Sequence, residues 1–324
     1  MKQIFLALIL ALAAAMLLAG CDDASQQTDS EPSSILLGFA QLGSESAWRL
    51  GNTASIKQAA QDAGVQLMFE NAEQKQEKQI KAIRSFIAYQ VDVIAFAPIV
   101  EDNWDNVLIE AKEAGIPVLT TDRMVKTKQD GMIAGFIGSN FYEEGVKAGE
   151  FLLKKCEGMD EILIVEISGT IDSTPMRQRA EGFRDAIAGD ERFTIIDTRS
   201  GDFLRSKGKE CMEYMLERHE KIDVLYSHND GMTLGAIEAI ESRGIAPGSD
   251  IIIITVDGER AAIELLKRGK INCVVECTPM IGDTIMALAK KLAAGEEIAP
   301  ITYSEERVFS EFDEDLDTLP ERAY

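Results

Sequence analysis

Residues 35–69 read ILLGFAQLGSESAWRLGNTASIKQAAQDAGVQLMF, and this stretch decides the fold. Its start, 35–40, is a short apolar run stopped by a Gly/Ser turn, the mark of a buried strand. Residues 46–63 carry helical spacing and stop at Gly64, a C-cap position. Residues 65–69 read as strand again. Strand, helix, strand in one short span is a βα unit and calls for a parallel sheet.

The pattern continues outward. Residues 73–89 form a helix with Ile80, Ile83, Phe86 and Ile87 on one face. Strand 91–97 ends at Pro98, helix 104–114 at Gly115, and strands 116–120 and 133–138 follow. The alternation then restarts, with strands at 162–167, 193–198, 224–227, 251–256 and 273–277. Helices are expected at 175–188, 206–219, 231–242, 259–268 and 280–294. There are too many strands for one sheet with helices on both faces. Two doubly wound parallel-sheet α/β lobes, parted near 138–140, fit the count. The chain's 324 residues and 46 % hydrophobic content supply two cores.

Acids outnumber bases 55 to 33, a formal charge of −22. That balance excludes a general nucleic-acid or anionic-membrane surface, both of which need clustered Lys and Arg. Two histidines, His219 and His228, leave no room for a histidine-rich metal site. No Walker A, GxSxG, CxxC or zinc spacing is present, and neither a cofactor nor catalysis is expected.

The first 20 residues read as an export signal: Lys2, an apolar run over 4–18, then small residues. Leu18-Ala19-Gly20-Cys21 looks like a bacterial lipobox, so Cys21 is the expected lipidation site. Residues 21–34 are polar and read as a flexible tether. The expected location is extracytoplasmic, with a lipid as the sole membrane attachment. Four cysteines remain. Cys273 and Cys277 stand four apart on a strand, roughly 13 Å and too far to bridge. Cys156 and Cys211 are the one pair open to a disulfide; the alternative is buried thiols.

Open α/β sheets bind ligands at the carboxyl ends of their strands. That rule selects 41–49, 98–104 and 121–123, then 168–177, 199–205, 227–230, 257–259 and 276–279. These segments hold Gln41, Ser44, Ser46, Trp48, Arg49, Asp122, Arg123, Arg177, Asn229, Asp257 and Glu276. Carboxylates, amides and guanidinium groups can each serve two sugar hydroxyls, and an indole covers a ring's C–H face. Each residue also has a plainer role open to it. Asn229 is placed to cap a helix, and Arg177 and Arg179 stand two apart, facing different ways.

FAQLGSESAWR (39–49), TDR (121–123), RQRAEGF (177–183), SGDFLRSKGKE (200–210), SHNDGMTLGAIEAI (227–240) and ECTP (276–279) carry a resemblance. Over about 35–310 the chain resembles periplasmic monosaccharide-binding proteins of ABC importers, ribose/galactose type. The first and fourth blocks look most like the galactofuranose-binding branch. The resemblance implies a type I periplasmic binding protein fold with a three-segment hinge near 138–140, 276–279 and 304–307. It divides the body into 35–138 plus 279–305 and 139–278 plus 306–324. It implies that Trp48 stacks on a monosaccharide, while Arg49, Asp122, Arg123, Arg177, Asn229 and Asp257 bond its hydroxyls. Gln41, Ser44 and Ser46 line the first loop, and Glu276 stands at the second crossing. The inserted IDSTP at 171–175 departs from the shorter ribose-type loop. The implied partners are an ABC permease and its ATPase, served by a monomer.

Three alternatives bear on this reading. A sugar sensor feeding a membrane kinase or chemoreceptor would use the same cleft. A lac-repressor-class regulator would need a DNA-binding helix-turn-helix where the signal stands. Glycoside hydrolysis by Asp122 and Asp257 would need one acid protonated, whereas arginine partners are expected to keep both ionised.

Overall fold

The computed structural model describes residues 34–324; the 1–20 signal, Cys21 and the tether up to residue 33 lie outside them. Two six-stranded sheets organise the chain. The first runs β11-β5-β4-β3-β1-β2, with β1 at Leu36–Gln41, β2 at Gln66–Asn71, β3 at Val93–Phe96, β4 at Val118–Thr121, β5 at Gly135–Gly138 and β11 at Ile301–Tyr303. All its pairings are parallel. The second runs β12-β10-β9-β8-β6-β7, with β6 at Ile162–Ser168, β7 at Phe193–Ser200, β8 at Val224–Ser227, β9 at Ile252–Asp257, β10 at Cys273–Glu276 and β12 at Val308–Ser310. Only β12 is antiparallel. Both sheets reverse direction of winding at the same relative place, β1/β3 and β6/β8.

Strand alternation builds a core on each face. In the first sheet Leu37, Phe39, Val93 and Ala95 face helices α1 (Ala47–Asp62) and α9 (Gly282–Ala293). Ala40, Ile94 and Phe96 face α2 (Gln76–Ala88) and α3 (Asp105–Glu113). Gly38 lets α2 approach, since a Cβ there would sit 2.5 Å from the Phe86 ring. In the second sheet Val165, Leu225 and Ile253 face α6 (Arg205–Arg218), α7 (Asp230–Ser242) and α8 (Arg260–Lys267). Ile164, Tyr226 and Ile254 face α4 (Phe141–Lys155) and α5 (Thr174–Ile187).

Helix α4 is absent from the sequence expectations. Its signals are ordinary: Asn140 accepts a bond from the Glu143 N–H at 3.2 Å, acids fill the first turn and lysines the last. Its buried face hid it, because Glu144, Gly145 and Gly149 interrupt the apolar stripe. Strands β11 and β12 were also unanticipated; at three residues each they are too short for a pattern.

The chain passes between the sheets after β5, β10 and β11. Glu306, on the third passage, ties all three. Its Oε1 accepts from the Ser139 hydroxyl at 2.5 Å and from the Thr278 N–H at 2.9 Å. Burial and the nearby Glu144 push its carboxyl up to about 8. The four described cysteines are free thiols. Cys156 packs on the α4/α5 face of the second sheet and Cys211 on the opposite face, so this pair cannot bridge.

Candidate functional site

The carboxyl ends of both sheets meet around a void lined from both lobes. Ser46, Trp48, Arg49, Asp122, Arg123, Asn229 and Asp257 line it together.

From the first lobe, Ser46 caps α1 by accepting from the Arg49 N–H at 3.1 Å. The cap sets Trp48 and Arg49 on the first turn. Trp48 Nε1 donates to the Cys277 carbonyl at 2.6 Å, so the indole spans the second passage. Arg49 is held on three sides: Nη2 to Asp122 at 2.5 Å, Nε to Glu45 at 3.1 Å and Nη1 to Gln41 at 3.2 Å. Burial opposes its charge, but Asp122 and Glu45 outweigh burial and hold the guanidinium above its ordinary value. Asp122 takes a left-handed backbone (φ 61°) just beyond β4. Arg123 donates from Nη1 to the Ile99 carbonyl at 2.9 Å and lies 5.2 Å from the Phe203 ring centre. Its Nε is buried with no hydrogen-bond partner among the described residues, the Asp122 carboxylate standing 3.8 Å away. Burial brings Arg123 down to about 10, against the pull of Asp122. A buried cation with a spare donor is an invitation to an acceptor on a ligand.

From the second lobe, Asn229 caps α7, accepting from the Met232 N–H at 2.9 Å. Asp230 fastens the turn after β9 through the Gly258 and Glu259 N–H groups at 2.8 and 2.6 Å. Asp257 opens that turn with φ 127°. Burial pushes the Asp257 carboxyl well above the usual carboxylate range; Arg179 pulls it down, while Asp230 and Glu259 add to the rise. Arg179, the arginine partner, does not outweigh burial in setting the direction of this shift. A carboxyl accepts from a hydroxyl when ionised and can also donate to one when protonated, so either form suits a hydroxyl partner.

Four expected residues stand outside the void. Gln41 lies behind Arg49, fixed by Asn52 and Thr53 at 3.0 and 3.1 Å. Ser44 is exposed. Glu276 pairs with Arg322 at 2.6 Å and accepts from the Arg307 N–H at 3.1 Å. Arg177 sits on the rim, half-exposed, paired with Glu101 at 2.9 Å and Glu181 at 3.6 Å.

Glu45, in the first strand-end loop, lines the void too, and five further lining residues stand outside the expected set: Phe141, Pro175, Arg179, Phe203 and Cys277. Arg179 matters most. It bonds Glu144 at 2.6 Å and the His228 carbonyl at 2.5 Å, and lies 3.8 Å from Asp257. Burial opposes its charge and Glu144 leads the partners that raise it. Helical spacing held the clue: Arg179 is in register with the buried Gly182 and Phe183, Arg177 with exposed Glu181. At Gly182 a Cβ would lie 2.0 Å from the Tyr142 carbonyl, so α4 and α5 touch and bring Glu144 beneath Arg179.

Glu144, Cys277 and Glu306 each bring a ligand atom within 4.8 Å of the others below the void. Arg179 occupies Glu144, and Ser139 and Thr278 occupy Glu306. Those bonds make the group a structural floor.

The geometry has close counterparts. The galactofuranose-binding protein YtfQ of Escherichia coli (strain K12) is 38 % identical over 279 residues, 85 % of this chain and 87 % of that one. A Mycobacterium smegmatis protein solved in complex with β-D-fucofuranose is 46 % identical, with a TM-score of 0.84 over 86 % of this chain and 91 % of that one. The periplasmic binding protein component of the arabinose ABC transporter from Shewanella sp. ANA-3, bound to α- and β-L-arabinofuranose, is 39 % identical, with a TM-score of 0.83 over 87 % and 93 %. Among the described residues no helix is long and apolar enough to cross a membrane. Two parallel-sheet lobes around one polar void accord with a match of residues 37–297 to the periplasmic binding protein domain family, and the chain belongs to that family.

Proposed function

We propose that this protein captures a monosaccharide in its furanose form between the lobes and delivers it to an ABC import permease and its ATPase. The observation that carries the reading is the convergence of Trp48, Arg123, Arg179 and Asp257 on one void. Trp48 covers the C–H face of the ring, and Phe203 supplies a second apolar wall. Arg123 brings an unpaired donor, Arg179 and Asp257 bond hydroxyls from the second lobe, and Asp122 and Arg49 from the first. Asn229 contributes its amide. Charge-assisted bonds of ~1.5–3 kcal/mol each offset an ordering cost of ~4–15 kcal/mol and leave micromolar binding, about −8 kcal/mol. The furanose preference is drawn from the sugars named for the relatives.

The lobes close about the three passages, and the chain acts as a monomer. It works outside the cytoplasmic membrane, held by a lipid on Cys21; the 18–21 motif that supports the anchor lies outside the described residues. The binding step needs no bond making or breaking.

Isothermal titration of the 34–324 body with L-arabinose, D-galactose, D-fucose, D-ribose and D-glucose tests the ligand class. Micromolar or tighter binding is expected for arabinose, galactose or fucose, carried by their furanose fraction. Heat from glucose alone, or from none of the five, would overturn the furanose reading.

A further inference from the structure

Of the inserted segment 171–175 and Arg177, only Pro175 lines the void. Asp172, Thr174 and Arg177 bond to the opposite lobe. Residues 170–173 form a tight turn in which the Ser173 N–H and hydroxyl both donate to the Thr170 carbonyl, at 3.2 and 2.6 Å. Asp172 takes a left-handed backbone (φ 62°), and its carbonyl accepts from the Glu101 N–H of the first lobe at 3.0 Å. Thr174 makes a reciprocal pair with Met124 of the first lobe. Its hydroxyl accepts from the Met124 N–H at 3.0 Å and donates to the Met124 carbonyl at 3.3 Å. Arg177 Nη2 then bonds Glu101 Oε1 at 2.9 Å.

Glu101 is built to receive this. Its carboxylate is 4 % exposed although it stands at a rim, and Lys126 of its own lobe holds the other oxygen at 2.5 Å. Burial would raise its pKa, but Arg177 and Lys126 bring it below the usual value. The Lys126 N–H also donates to the Glu101 carbonyl at 2.8 Å, fixing the receiving loop within the first lobe.

We propose that Asp172, Thr174 and Arg177 form a latch on Glu101 and Met124 that holds the lobes closed and sets how fast ligand leaves. The passages behind the void join the lobes by covalent chain in every state. The latch bonds exist only when the rims meet. A contact made in one of two states shifts the balance toward that state and raises apparent affinity by the gain in its population. Latch residues act on closure and not on ring recognition, so they change release without changing which sugar is preferred. The inference rests on reading the void as a ligand site that opens and closes.

The test uses the Arg177→Met/Thr174→Val double variant, with Lys126→Met as control. The control removes the same-lobe partner of Glu101 and leaves every interlobe bond. L-Arabinose is the probe, with release followed by stopped-flow tryptophan fluorescence and lobe separation by small-angle X-ray scattering of ligand-free protein. The double variant is expected to release arabinose about tenfold faster, with association within twofold and the order of sugar preference kept. The control is expected to stay within twofold in both rates. Release by the double variant within twofold of wild type would overturn the latch while leaving the sugar reading standing. If wild type binds no sugar, the sugar reading fails by itself, and scattering decides the latch. A larger mean radius in the double variant supports the latch; equal radii overturn it.

Discussion

The two lobes share one strand order but deliver their ligand-facing side chains by different routes. In the first lobe Trp48, Arg49, Asp122 and Arg123 follow strand ends within a few residues, so a rule about strand ends finds them. In the second lobe Asn229, Asp257 and Phe203 also follow strand ends, but Arg179 sits a full turn inside α5. The position of Arg179 depends on which helix face turns inward, and that is decided by packing against α4. Strand-end chemistry is legible locally, whereas helix-face chemistry needs the tertiary contact.

The sharpest way to break this comparison is to exchange the two arginines' fates. Arg179→Ala should abolish detectable sugar binding by titration. It should also lower the melting temperature by more than about 5 °C, because Glu144 loses its buried partner. Arg177→Ala should cost less than about tenfold in affinity and leave the melt unchanged within about 2 °C. The reverse ranking would return the role to Arg177. Next in size, Arg123→Ala and Asp257→Ala should each weaken binding by about 100-fold with circular dichroism unchanged. An unchanged affinity in either removes that residue from the site.

A third test concerns the floor that both lobes share. Glu306 is raised from an ordinary value near ~4.3 to about 8. The folded state therefore holds a proton that the unfolded chain releases. The sign follows: Glu306 favours folding fully below about pH 4, and this contribution fades as pH rises through about 8. The melting temperature of wild type should fall by roughly 2–5 °C between about pH 5 and 8.5 relative to Glu306→Gln. Parallel curves for the two proteins would deny Glu306 this role. The smallest effect is expected at Ser44. Ser44→Ala should leave affinity within twofold by titration, since that side chain is exposed outside the void.

How much of this the sequence carries follows the same division. The strand–helix alternation, the two lobes and seven of the lining residues were legible, because strand ends and glycine stops are local signals. Helix α4 was not, because its inward face carries Glu144 and two glycines where apolar residues would announce it. Those residues serve the partner helix and Arg179, which no local pattern reveals. Glu276 and Ser44 fit the strand-end rule and still miss the void, since Glu276 turns toward Arg322 and Ser44 toward solvent.

The central claim is that a five-membered sugar ring fills the void between the lobes. A crystal structure of the 34–324 body grown with L-arabinose tests it most directly. The account predicts density for a furanose ring against Trp48, with hydroxyls bonded by Arg123, Arg179 and Asp257 and with Arg177 on Glu101. A pyranose ring in that place, or arabinose bound elsewhere with the void unfilled, would contradict it.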